Sequence, residues 1–168
     1  MKIHGVRPLA DGRLKTNYLH MKKLNCILLV DDSEADNVFH EYLLKEADVS
    51  NDIQVVNSGE KALRYLKNLN GDRSAKPSTG NELPNLKPDL IYLDINMPGM
   101  NGFEFLDEFR KLDEDFTGKI KIIVLAASLN PEDRKTAMLY KEVSAFQIKP
   151  LTPELILEAI ENISAGKT

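Results

Sequence analysis

Four side chains in this sequence have the chemistry to handle a divalent cation and a phosphoryl group: the neighbours Asp31 and Asp32, the isolated Asp94, and Lys149. They come directly after three short apolar runs, Cys26–Val30, Leu90–Leu93 and Ala145–Ile148. Two like charges about 4 Å apart repel by roughly 4 kcal/mol at an effective dielectric of 20, so three gathered carboxylates require a positive group among them. Hard carboxylate oxygens with room for water suit Mg2+. A carboxylate can also attack phosphorus and carry the group as an aspartyl phosphate. Asp94 is best placed for that role, because it stands alone before the turn Asn96-Met97-Pro98-Gly99-Met100-Asn101-Gly102. Asp31 and Asp32 then hold the metal together with the backbone carbonyl of Asn96, and the Lys149 ammonium neutralises a phosphoryl oxygen. Taken singly these are weak signals, since an acidic pair after a strand ordinarily marks only the start of a helix.

Their meeting depends on the elements that carry them. From Asn25 onward short apolar runs alternate with amphipathic segments, the pattern of a parallel sheet covered by helices. Strands are predicted over 26–30, 52–56, 90–93, 120–125 and 145–148. In such a sheet ligands bind beyond the carboxyl ends of the strands, which places 31–32, 94, 126–128 and 149 at one edge. In the first predicted helix Ala35, Val38, Phe39, Tyr42, Leu43 and Ala47 recur at three- and four-residue spacing, with Ser33 and Asp36 as a capping box and His40 near the surface. Ser58 caps a second helix carrying Ala62, Leu63, Leu66 and Leu69, and a third presents Phe105, Leu106, Phe109 and Leu112. Asn130-Pro131 and Thr152-Pro153 suit the starts of two more. The last of these buries Leu155, Ile156, Ala159, Ile160 and Ile163. Asn70–Lys87, rich in Gly, Pro, Ser and Asn, reads as a long surface loop inside one domain.

The 168 residues are 42% apolar, enough for one domain with a real core. No apolar run approaches the roughly 20 residues that cross a bilayer, and no cleavable signal segment is present, so the expected place is the cytoplasm. The single Cys26 reads as a buried structural thiol. A net charge of −4 gives no support to sequence-independent nucleic-acid binding. That charge is uneven. Residues 1–20 carry four basic groups and one acid and read as a disordered leader or non-native extension. Residues 21–168 hold 18 basic and 25 acidic groups, net −7.

Three segments together identify a resemblance. Ile27-Leu28-Leu29-Val30-Asp31-Asp32-Ser33, the stretch from Pro88 through Asp94 to Gly102, and Ile148-Lys149-Pro150-Leu151 resemble the signatures of the response regulator receiver domain of two-component signalling, over about 24–164. The resemblance implies a flavodoxin-like (βα)5 doubly wound α/β fold of strand order 2-1-3-4-5. It implies a phosphoryl group accepted on Asp94 from the phosphohistidine of a sensor histidine kinase or histidine phosphotransfer protein. Asp32 becomes a direct Mg2+ ligand, Asp31 acts through metal-bound water, Asn96 offers its carbonyl, and the Lys149-Pro150 bond is expected to be cis.

One position departs from the family pattern. Ala126 stands at the end of strand four, where family members usually carry the Thr or Ser whose hydroxyl binds the phosphoryl group, while Phe146 keeps the aromatic switch position. The ligands for metal and phosphoryl are intact, but the conformational response lacks its hydroxyl. The helix before strand five, that strand and the last helix form the family's partner surface, here with Arg134, Lys135, Lys141, Phe146 and Leu151. The expectation is a single-domain regulator that signals to a downstream protein or relays phosphate, without room for an output domain. Two alternatives are a receiver-like binding module that does not switch and a Mg2+-dependent phosphatase with an aspartyl nucleophile. The latter is disfavoured by Asn96, where such enzymes place an acid. His4, His20 and His40 lie away from the proposed site.

Overall fold

A computed structural model describes residues 22–71 and 86–166. The predicted leader and residues 72–85 of the predicted loop lie outside them. In chain order the elements are β1 (Leu24–Val30), α1 (Glu34–Ala47), β2 (Ser50–Val56), α2 (Gly59–Leu69), β3 (Leu90–Asp94), α3 (Gly102–Phe109), a single turn α4 (Glu114–Thr117), β4 (Lys121–Ala126), α5 (Pro131–Ala137), β5 (Val143–Ile148) and α6 (Pro153–Ser164). The strands form one parallel sheet in the order β2-β1-β3-β4-β5. This is the doubly wound flavodoxin-like fold that the sequence motifs imply.

Central strands β1, β3 and β4 are buried on both faces, which is why they are apolar at nearly every position. Leu28, Val30, Ile91, Leu93, Ile122 and Val124 point to the layer of α2 and α3, against Leu66, Phe105 and Phe109. Ile27, Leu29, Leu90, Tyr92, Ile123 and Leu125 point to the layer of α1 and α6, against Leu44, Ile156 and Ile160. Cys26 is a buried free thiol as expected, its pKa pushed up to about 12 by burial and then by the charges of Asp52 and Asp89. Among the described residues no helix is long and apolar enough to cross a membrane.

Helix starts obey their caps. Ser58, Asn130 and Thr152 each accept a hydrogen bond from the first turn of α2, α5 and α6. Asn101 and Glu104 form a reciprocal capping box at α3, a signal not drawn from the sequence. The short α4, capped by Asp113, is likewise an addition to the five predicted helices.

Helix α1 corrects the prediction most. Its inward residues are Asn37, His40 and Leu44, while Val38, Phe39 and Tyr42 are 62%, 45% and 57% exposed. His40, expected near the surface, is 1% exposed. The polar groups can turn inward because backbone partners await them. Asn37 Nδ2 donates to the Asp31 carbonyl at 2.7 Å, and His40 Nε2 accepts from the Leu151 N–H at 3.3 Å. These bonds satisfy Asn37 Nδ2 and His40 Nε2, while Asn37 Oδ1 stays buried without a partner among the described residues. The apolar spacing divides between two faces: Leu43 and Ala47 pack against the core, and Val38, Phe39 and Tyr42 turn outward.

Candidate functional site

Chain crossover puts the site where it is. The path leaves β1 toward β2 on one side and returns to β3 on the other, opening a crevice at the carboxyl ends of β1 and β3. Carboxylate oxygens of Asp31, Asp32 and Asp94 lie within 4.8 Å of one another there, with Asp31 and Asp94 buried and Asp32 exposed. The backbone N–H of Lys149 donates to the Ala126 carbonyl at 2.8 Å, which brings the end of β5 level with β4 and aims the lysine at the crevice. Its ammonium stands 2.6 Å from Asp31 Oδ2, 3.0 Å from Asp36 Oδ2 and 3.3 Å from Asp94 Oδ1. The Lys149-Pro150 bond is cis, as the resemblance implied.

Asp36 is the residue missed at this site. As the third residue of α1 its backbone N–H donates to Ser33 Oγ at 3.2 Å, half of the predicted capping box. The other half is absent because its carboxylate turns to Lys149, and the Ser33 N–H donates instead to Asp31 Oδ1 at 2.9 Å. The acidic cap was legible in the sequence, but a reach across 113 residues to Lys149 was not.

Behind Asp94 the turn is pinned at several points. The Ile95 N–H donates to the Leu125 carbonyl at 3.2 Å and the Gly102 N–H to the Ile95 carbonyl at 2.9 Å. A Cβ on Gly102 would lie 2.7 Å from the Asp94 carbonyl oxygen and 2.8 Å from Ile95 Cα, both backbone atoms, so only glycine lets α3 start this close to the acceptor. Gly99 has φ +75°, and the next N–H, of Met100, donates to Glu60 Oε1 at 2.7 Å. Hydrogen bonds from the Glu60 and Met100 backbone hold the Glu60 carboxyl below its usual range. Asn96 is exposed on this turn beside Asp94.

The crevice strains its own charges. Burial pushes the Asp94 carboxyl up, Lys149 opposes that, and Asp31 adds to it. Lys149 is itself opposed by burial, yet the close carboxylates of Asp31 and Asp36 and the charge of Asp94 raise its pKa. Asp31 Oδ2 is fully buried and has no hydrogen bond of good geometry, its close ion pair with Lys149 notwithstanding. A buried carboxylate oxygen with a lone pair unused, beside two more carboxylates, is a donor set that fits a small hard cation.

His40 links this region to pH. Burial lowers its pKa, Asp36 and Asp31 pull it back up, and Lys149 lowers it. A group whose folded pKa lies below its unfolded value contributes stability above the unfolded value and loses it as pH falls through the folded one. Stability is therefore expected to fall as pH drops below 6.5, and His40→Gln, which does not titrate, to flatten that slope; urea denaturation on either side of 6.5 checks both.

A family model described as the response regulator receiver domain matches residues 27–161. The chain belongs to that family. The receiver is 36% identical over 147 residues to the two-component response regulator ARR5 of Arabidopsis thaliana, covering 87% of this chain and 74% of that protein. It is 42% identical over 82 residues to the nitrate/nitrite response regulator protein NarL of Escherichia coli, covering 49% of this chain and 36% of NarL. The chain thus spans little more than a third of that relative's length. A two-component response regulator from Cytophaga hutchinsonii superposes with a TM-score of 0.71 at 29% identity, covering 86% of this chain and 99% of that one.

Within this receiver Ala126 is buried at the end of β4 and Phe146 is half-buried against the core. Arg134, Lys135 and Lys141 are exposed, and Lys141 pairs with Glu114 at 2.5 Å. Leu151 leaves the predicted partner surface, because its side chain is buried between the sheet and α6 in the core.

Proposed function

We propose that this chain is a phosphoacceptor: Asp94 takes a phosphoryl group from the phosphohistidine of a sensor histidine kinase or histidine phosphotransfer protein, in the cytoplasm and with Mg2+, and signals by protein contact or onward relay. The observation that carries the reading is the Lys149 ammonium 3.3 Å from the buried Asp94 carboxylate, with Asp31 and Asp32 beside it. An Asp94 oxygen forms the new O–P bond as the donor's N–P bond breaks, and the imidazole nitrogen leaves with the electron pair. Asp31, Asp32, Asp94 and the Asn96 carbonyl would hold the metal, which supplies charge neutralisation for the transferred oxygens. Lys149 holds the phosphoryl charge from the other side, and the glycine-tight turn fixes the acceptor in place.

The donor must cover the mouth of the crevice, and α1 borders it through Asp36. Ala35, Val38, Phe39 and Tyr42 form one stripe at helical spacing on that helix, exposed and apolar beside the mouth. An exposed apolar patch continuous with the site supports docking of the donor there. The phosphatase alternative is disfavoured because Asn96, two residues past Asp94, offers no acid or base.

Incubation with acetyl phosphate and Mg2+ is expected to give an alkali-labile phosphoryl adduct detectable by mass, and chelation of the metal is expected to abolish it. Absence of any adduct with Mg2+ present would overturn the reading.

A further inference from the structure

Resting on that reading, we infer that Asp36 is a positioning residue that reports the charge at Asp94 to helix α1 by sharing Lys149 with it. The Lys149 ammonium donates a hydrogen bond to Asp36 at 3.0 Å and is ion-paired with Asp31 at 2.6 Å and Asp94 at 3.3 Å, so three carboxylates share one positive charge. A phosphoryl group on Asp94 adds charge and acceptor oxygens at the third of these, so Lys149 must give up one of the other two. Asp31 is 4% exposed by its side chain and cannot be rehydrated in place, whereas Asp36 is 41% exposed and can be. Released into water, Asp36 regains hydration at small cost, and Asp31 keeps its charge partner.

The response of α1 is set by its other ties. The Ser33 N–H to Asp31 Oδ1 and Asn37 Nδ2 to the Asp31 carbonyl hold the start of the helix to β1, and His40 holds its inner face to Leu151. Loss of the Asp36–Lys149 bond therefore changes the first two turns locally, on the side that leads to Val38, Phe39 and Tyr42. No competing route through a hydroxyl exists at position 126, where the buried residue is alanine. Phosphorylation is thus read on α1, next to the proposed donor-docking stripe.

The test is nuclear magnetic resonance of the full chain with Mg2+ and beryllofluoride, a phosphoryl mimic. The fluorine signal reports occupancy of Asp94, and amide and side-chain shifts report α1. In wild type, binding is expected to shift residues 34–42. In Asp36→Ala the fluorine signal is expected to persist while the shift at Val38, Phe39 and Tyr42 is lost, and Asp36→Glu is expected to restore it. A bound fluorine signal with α1 unmoved in wild type, or with α1 shifts unchanged in Asp36→Ala, overturns the coupling and leaves the acceptor reading intact. No bound fluorine signal in wild type overturns both.

Discussion

Asp94→Asn is expected to show no phosphoryl adduct under conditions that modify the wild type, and to fold at least as stably. The first half rests on chemistry: the amide has no anionic oxygen to attack phosphorus, and the neighbouring buried carboxylate, Asp31, is paired with Lys149 at 2.6 Å. The second rests on the direction in which the Asp94 pKa moves. Burial raises it in the folded chain. Such a group contributes stability below its unfolded pKa and loses that contribution as pH rises through the folded one. At neutral pH, without metal, the ionised Asp94 is therefore a net cost that asparagine removes. Intact mass after acetyl phosphate treatment and urea denaturation at neutral pH check the two halves. An adduct retained by Asp94→Asn contradicts the assignment.

Lys149→Ala is expected to lose about 3 kcal/mol of stability at neutral pH in the absence of divalent cations, because removing one partner leaves buried charges uncompensated. Two of the three carboxylates concerned, Asp31 and Asp94, are buried, and burial already opposes the charge on Asp94. Without the lysine the Asp94 carboxyl loses the charge that holds it down and rises further, so the loss grows as pH rises through its folded pKa and shrinks in acid, where it protonates. Added Mg2+ should recover much of the loss, since ligand that binds only the folded state stabilises it by mass action. Urea denaturation with and without Mg2+ measures both. A loss under about 1 kcal/mol that Mg2+ does not alter contradicts the claim that Lys149 balances this cluster.

The fold was legible because its signals are long and redundant. Nearly continuous apolar runs at β1, β3 and β4 fit strands buried on both faces, and Ser58, Asn130 and Thr152 start helices through hydrogen bonds local to the chain. The positions of Asp31, Asp32, Asp94 and Lys149 at one sheet edge were legible for the same reason, since each ends a strand. The features hidden in the sequence were decided by partners far along the chain. Asn37 and His40 look like surface residues until the Asp31 carbonyl and the Leu151 N–H supply their bonds, and only then does the stripe of Val38, Phe39 and Tyr42 turn outward. Asp36 looks like a capping residue until the lysine arrives from the end of β5. Leu151 looks like part of a surface motif, yet the chain after Lys149-Pro150 drops it into the core.

The central claim is that Asp94 itself carries the phosphoryl group. Borohydride reduces an acyl phosphate of aspartate to homoserine, which marks the acceptor in the sequence. After treatment with acetyl phosphate and Mg2+, reduction and peptide mapping are predicted to place homoserine at position 94. Homoserine at another position, or none in a chain that has gained the phosphoryl mass, would contradict the account.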